Sequence, residues 1–200
     1  MLHLIIISAS TTGEIISWNL KSQKREAHPS LMLNFQGHSR AVNGLEKFGK
    51  SSFLSCSDDM TICFWKVDCF SAKQIMMGHE AKVTCLKKSE NNFFSGSYDG
   101  TVRMWSVANA KCLKIFWPDD KVSPVLCIDT VLNKFLVLAM ANGKIKCWDV
   151  ASKNLMVSID AHNEAITCLN VTKKNCVLTS SSDGFLMTTV RHGVNLLKIF

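Results

Sequence analysis

Five stretches of this 200-residue chain end in the same way. IIISASTTGEIISW reaches Trp18, FLSCSDDMTICFW reaches Trp65, FFSGSYDGTVRMW reaches Trp105 and FLVLAMANGKIKCW reaches Trp148. VLTSSSDGFLMTT follows the same plan with Thr189 in the tryptophan position. The intervals are 47, 40, 43 and 41 residues. Self-similarity at a period of about 40 residues restricts a chain to architectures built by stacking one unit on the next. Within a unit, short β-rich runs such as Val83–Leu86, Phe93–Ser97, Thr101–Val107 and Cys112–Phe116 are divided by turn residues such as Asp99-Gly100. No segment keeps helical periodicity over a dozen residues. Four short antiparallel strands per unit, packed face to face around an axis, bury the apolar faces that a single unit leaves bare.

The details within the units carry a family resemblance. Gly37-His38 and Gly78-His79 precede apolar stretches, and Ala161-His162 stands in the corresponding place further on. The run S-x-S-x-D-x-T-x-x-x-W spans Ser55–Trp65 and again Ser95–Trp105, and Trp148-Asp149 is a literal Trp-Asp dipeptide. On these residues the chain resembles the WD40-repeat β-propellers over essentially its whole length. The fold expected is all-β, a propeller with about five blades. The blades are a partial first at 1–36, then 37–77, 78–118, 119–160 and 161–200. The first lacks strand a, because the histidine that precedes Trp65 by 27 residues and Trp105 by 26 would fall before the first residue at Trp18.

His79, Ser95 and Asp99 invite comparison with a catalytic triad. The set recurs as His38/Ser55/Asp59 and again as His162/Thr179/Asp183. A nucleophile with its base is one site, not one per repeat. The resemblance implies a structural tetrad instead: Asp holds His, His bonds Ser or Thr, and that hydroxyl meets the Trp indole. The full sets would be His38, Ser55, Asp59, Trp65 and His79, Ser95, Asp99, Trp105. The fifth unit offers His162, Thr179 and Asp183. In the fourth, the His position falls near Asp120–Lys121, Leu138 replaces Ser and Asn142 replaces Asp, so apolar packing must suffice there. Trp117, outside the signature, is expected to pack at the core or rim.

Composition narrows function mainly by exclusion. The net charge is +7, spread over small clusters at Lys21/Lys24/Arg25, Lys87/Lys88 and Lys173/Lys174. None is a long basic run interleaved with aromatics, so they read as solvated loop charge and argue against nucleic acid as a partner. Nine cysteines include no C-x-x-C and no zinc-finger spacing, so no metal is expected. Cys85, Cys127 and Cys168 sit in apolar stretches and read as reduced core thiols of a cytoplasmic or nuclear protein. Leu4–Ile7 is too short for a secretory h-region and reads as a buried strand. No apolar run has membrane-spanning length. No phosphate loop or acid–base pair stands out, so the reading is no enzyme and no cofactor.

The family's rings usually hold about seven blades. With five, the reading is an incomplete or open ring, and three explanations compete: a fragment of a longer protein, completion by another chain, or a strained five-bladed closure. The function expected from the resemblance is a non-catalytic protein–protein scaffold or adaptor that binds through propeller loops. Arg40, Asp58, Glu80, Lys82 and Tyr98 flank the tetrad His and Asp positions and are the candidate contacts. The alternative is a nucleic-acid or chromatin-associated subunit using diffuse positive charge.

Overall fold

The computed structural model describes residues 3–23, 26–117, 123–192 and 195–199. Among these residues the 40-residue period resolves into 19 strands and no helix. The first sheet holds β1 (His3–Ala9), β2 (Ile15–Gln23) and β3 (Glu26–Phe35). The second holds β4 (Val42–Lys47), β5 (Ser52–Ser57), β6 (Ile62–Lys66) and β7 (Gln74–Met76). The third comprises β8 (Val83–Ser89), β9 (Asn92–Ser97), β10 (Val102–Ser106) and β11 (Lys111–Phe116). The fourth comprises β12 (Val125–Val131), β13 (Phe135–Met140), β14 (Lys144–Asp149) and β15 (Leu155–Asp160). The fifth comprises β16 (Ile166–Val171), β17 (Val177–Ser181), β18 (Leu186–His192) and β19 (Asn195–Ile199). Each is an antiparallel meander in chain order, one blade per sheet.

The hydrophobic core lies between blades rather than within them. Ile15 and Phe35 of the first blade meet Phe53, Cys63 and Trp65 of the second. Leu54, Cys56, Ile62 and Met76 then meet Val83, Phe93 and Trp105 of the third. Phe94, Val102 and Phe116 pack on Val125, Ile128, Leu136 and Leu138, and Val137, Ala139 and Ile145 on Ile166, Leu169 and Val177. A middle strand is therefore covered on both faces. This is why FLSCS, FFSGS and FLVLAM do not alternate with polar residues, as a one-sided strand would.

The turns between the second and third strands of a full blade need a left-handed residue. Gly100, Gly143 and Gly184 supply it at φ +79°, +76° and +85°. In the second blade Met60 takes the same place at φ +69°.

Strands β4, β8, β12 and β16 contact one another in succession and line the inside of the array. No closed ring is detected among the described residues. The last blade shows the consequence. Leu178 and Leu186 are 40% and 81% exposed, although their counterparts Leu54, Phe94, Ile62 and Val102 are fully buried against a following blade. Cys168 corrects the expectation of a core thiol, because it is exposed on β16, the last inner strand. Cys85 lies at the next interface, close to Val125 across Gly96. The reading of Lys87 and Lys88 as loop charge is also corrected. Both lie on β8, and Lys87 Nζ is 2.7 Å from the buried Asp129 carboxylate. Lys24 and Arg25 lie outside the described residues.

Candidate interaction surface

The second, third and fifth blades each bring their signature His and Asp to one end. Strand order places the turns between second and third strands at the same end as the connections that carry His38, His79 and His162. In the second blade Asp59 first organises its own turn. Its Oδ1 accepts from Thr61 N at 3.0 Å and Thr61 Oγ1 at 2.6 Å. Its Oδ2 accepts from His38 Nδ1 at 2.9 Å and Ser39 N at 3.0 Å. His38 Nε2 lies 2.7 Å from Ser55 Oγ, to which Trp65 Nε1 donates at 2.7 Å. The indole has only a donor, so Ser55 must accept from it and give its own proton to Nε2.

The third blade repeats the geometry. His79 Nδ1–Asp99 Oδ2 and His79 Nε2–Ser95 Oγ are both 2.7 Å, and Trp105 Nε1 donates to Ser95 at 2.8 Å. Ser55 and Ser95 are fully buried, and each takes an indole N–H on its oxygen. Burial opposes the charge on Asp99, but hydrogen bonds from His79 and Thr101 outweigh it and hold the carboxyl well below the usual carboxylate range. Asp59 is lowered in the same manner, with Thr61, Ser39 N–H and His38 outweighing burial.

The remaining blades hold parts of the set. His162 binds Asp183 Oδ2 at 3.0 Å and Thr179 Oγ1 at 3.0 Å. The fourth blade has Leu138 buried where the hydroxyl would stand, and Asn142 Oδ1 accepts from Lys144 N at 3.2 Å. Asp120 and Lys121, the His position of that blade, lie outside the described residues. In the first blade Trp18 Nε1 donates to Ser8 Oγ at 2.9 Å. Sequence reasoning missed this half-set, although Ser8 precedes Trp18 by the same ten residues that separate Ser55 from Trp65.

The glycines before His38 and His79 have a steric reason. A Cβ on Gly37 would lie 2.6 Å from Trp65 Cη2, and one on Gly78 3.2 Å from Trp105 Cη2. The unit with Thr189 in place of tryptophan carries Ala161 in place of glycine.

The candidate contact residues surround these sets. Arg40 and Glu80 are exposed. Asp58 accepts from Asn43 Nδ2 at 2.8 Å, and the same amide donates to Val83 O in the next blade, so Asp58 serves a blade junction as well. Lys82 Nζ lies 3.9 Å from the centre of the Tyr98 ring. Met60, Met77, Trp117 and Phe185 join them as exposed apolar side chains at the same end. Trp117 is 64% exposed, which corrects the packing expectation: β11 ends with Phe116 buried, and the next side chain of an extended segment points the other way. Met77 follows buried Met76 in the same manner.

Sheets of four antiparallel strands stacked through shared apolar faces, inner strand against inner strand, define a β-propeller array. The model of the WD domain, G-beta repeat, matches residues 29–66, 70–106 and 153–187, and the chain belongs to that WD40 family. It is 28% identical to the nuclear distribution protein nudF of Aspergillus niger over 80% of this chain and 36% of that protein. It is 26% identical to human pre-mRNA-processing factor 17 over 74% of this chain and 27% of that protein. The chain thus spans about a third of the length of these curated relatives. Among solved structures, the computationally designed Ika8 protein superposes with a TM-score of 0.77 at 26% identity, covering 92% of this chain and 54% of the designed one.

Proposed function

We propose that this chain is a non-catalytic scaffold that binds other proteins through the loop end carrying Arg40, Glu80, Lys82 and Tyr98. The observation that carries the reading is the contrast at that end. His, Ser and Asp side chains are consumed in buried hydrogen bonds, while Met60, Met77, Tyr98 and Trp117 stand exposed on the frame those bonds hold rigid. Exposed apolar and aromatic side chains on a fixed frame favour protein contacts, with Trp and Tyr as the usual anchors. Family membership supports the same reading, because WD40 repeats are in general interaction scaffolds rather than catalysts. The units 1–36, 37–77, 78–118, 119–160 and 161–200 are proposed as its blades, and the cytoplasm or nucleus as its compartment. Among the described residues no helix is long and apolar enough to cross a membrane.

Quantitative affinity purification from cells tests the proposal. Partners retained by the wild-type chain should be lost by the Arg40→Glu/Lys82→Glu variant and kept by Lys173→Glu/Lys174→Glu, whose lysines lie on a turn at the opposite end. Equal retention by all three overturns the assignment of the surface. Against the nucleic-acid alternative stands the dispersal of the basic residues, with Lys87 committed to Asp129 and Lys173/Lys174 on the far end.

A further inference from the structure

Arg103 lies on β10 opposite Ser95 and two residues before Trp105, so its side chain shares their face of the sheet. Trp105 packs on Leu54, Ile62 and Met76 of the second blade, which places Arg103 in the seam between the second and third blades. The same register position holds Cys63 in the second blade and Lys146 in the fourth, both buried. Arg103 is half-buried, and its guanidinium reaches the connection into the third blade: a Cβ on Gly78 would lie 2.8 Å from Nη1. Gly78 thus leaves room for a cation at the loop end, beside His79.

Among the described residues no carboxylate lies within ion-pair distance of Arg103, and its Nε is buried without a hydrogen-bond partner. The charge has therefore lost part of its hydration on folding without gaining a counter-ion. Asp58, Asp59 and Asp99, the carboxylates of the neighbouring turns, are occupied by Asn43, His38 and His79. Two methionines border the same seam. Met60 stands in the turn before Ile62, and Met77 links buried Met76 to Gly78; they are 44% and 71% exposed. Their unbranched thioether side chains adapt to varied apolar partners.

We propose that Arg103 anchors an Asp or Glu carboxylate in a segment of the partner protein, whose neighbouring bulky apolar residues rest on Met60 and Met77. The site is part of the loop end proposed above, and its assignment rests on that reading. A guanidinium presents a planar set of N–H groups that matches a carboxylate. One that is already desolvated and held by packing gives up little more on binding. A single negative charge suits the site better than a phosphate dianion, because Asp59 and Asp99 occupy turns at the same end.

Selection of displayed random dodecapeptides on the immobilised full chain, followed by fluorescence anisotropy of the enriched peptides, tests it. The enriched peptides should share one Asp or Glu beside a bulky apolar residue. Changing that acid to its amide should weaken binding to the wild type about tenfold or more, and to Arg103→Gln less than about twofold. Met77→Glu, an exposed change, should weaken binding about tenfold, whereas Lys173→Glu/Lys174→Glu should leave it unchanged. Failure of any peptide to enrich, the lack of a shared acid, or an equal amide effect on both chains overturns the proposal. Tighter binding when phosphoserine replaces the acid also overturns it, by giving the site to a phosphopeptide. If Arg40→Glu/Lys82→Glu abolishes binding while Arg103→Gln preserves it, the loop end stands as the binding surface and Arg103 alone is rejected. Should Arg103→Gln lose its circular dichroism, the amide exchange on the wild type and Met77→Glu decide, and an unchanged affinity in either overturns it.

Discussion

Alanine at position 37 places a methyl group 2.6 Å from Trp65 Cη2, closer than two carbons approach without displacement. The indole has little room to yield. Its Nε1 donates to Ser55 at 2.7 Å, Phe53 stacks on it with ring centres 6.0 Å apart, and Phe35 meets it edge-on at 5.5 Å. An extra methyl in such a packed site costs about 1–3 kcal/mol. If the ring turns aside instead, it forfeits a buried hydrogen bond worth about 1 kcal/mol and leaves a donor without a partner. Gly37→Ala should therefore lose about 2 kcal/mol. With a urea dependence of about 2 kcal/mol per molar, the midpoint followed by far-ultraviolet circular dichroism should fall by about 1 M. A double-mutant cycle makes the test specific. Trp65→Thr copies the pairing of Ala161 with Thr189, and in that background Gly37→Ala should cost less than about 0.5 kcal/mol. A loss below about 0.5 kcal/mol in the wild-type background, or additivity in the cycle, refutes the steric account of the Gly-His dipeptide.

Three other expectations follow from the same contacts. Asp129→Ala removes the partner of Lys87 and the acceptor of Val171 N–H. Breaking a buried pair costs about 3–5 kcal/mol, but Lys87 is a third exposed, so a loss of about 2 kcal/mol in urea unfolding is expected, with Asp129→Asn losing less. Asp59 and Asp99 titrate below their unfolded values, so their contribution is fully present above about pH 4–5 and is lost as pH falls through their folded values. Urea midpoints should decline more gently below about pH 4 in Asp99→Asn than in the wild type, and parallel profiles would contradict this. Burial pushes the Cys63 and Cys85 thiols up to about 12 and raises Cys56 strongly, whereas Cys168 is exposed. A maleimide at neutral pH should label Cys168 before these three, as read by peptide mass spectrometry; early labelling of Cys56 would contradict the packing of the second and third blades.

The strand pattern was open to reading because the repeat writes it several times. Tryptophan spacing, Asp-Gly turns and short apolar runs place strands without reference to anything distant. The contacts between blades were harder to see, because their partners are one whole repeat apart: Glu46 to Lys88 and Asp129 to Val171 each span 42 residues. Reading down equivalent positions of successive units, rather than along one unit, would have aligned Glu46, Lys87, Asp129 and Asn170. The same procedure aligns Gly44, Cys85, Cys127 and Cys168, and shows why a buried environment does not extend to the last of them. A residue in an inner strand is covered by the next blade, so its burial belongs to the pair of units and not to its own sequence. Cys168 and Leu186 have apolar identities suited to a covered face, and their exposure is set by position in the array.

The Trp-Asp dipeptide illustrates how far a motif can separate from its role. It occurs at Trp148-Asp149, in the blade where the indole Nε1 is buried without a hydrogen-bond partner. Asp149 organises the following turn instead, accepting from Ala151 N, Ser152 N and Ser152 Oγ. What decides the fate of each tryptophan is the residue ten positions upstream. Ser8, Ser55 and Ser95 accept the indole proton, and Leu138 has no atom that can. Trp148 is retained by its surroundings: Phe116 meets its ring edge-on at 6.0 Å, and the ring packs on the cluster between the third and fourth blades. The hydrophobic area of the indole thus holds the residue in place where its polar function has gone, as expected when burial of a large ring outweighs one net hydrogen bond of about 1 kcal/mol.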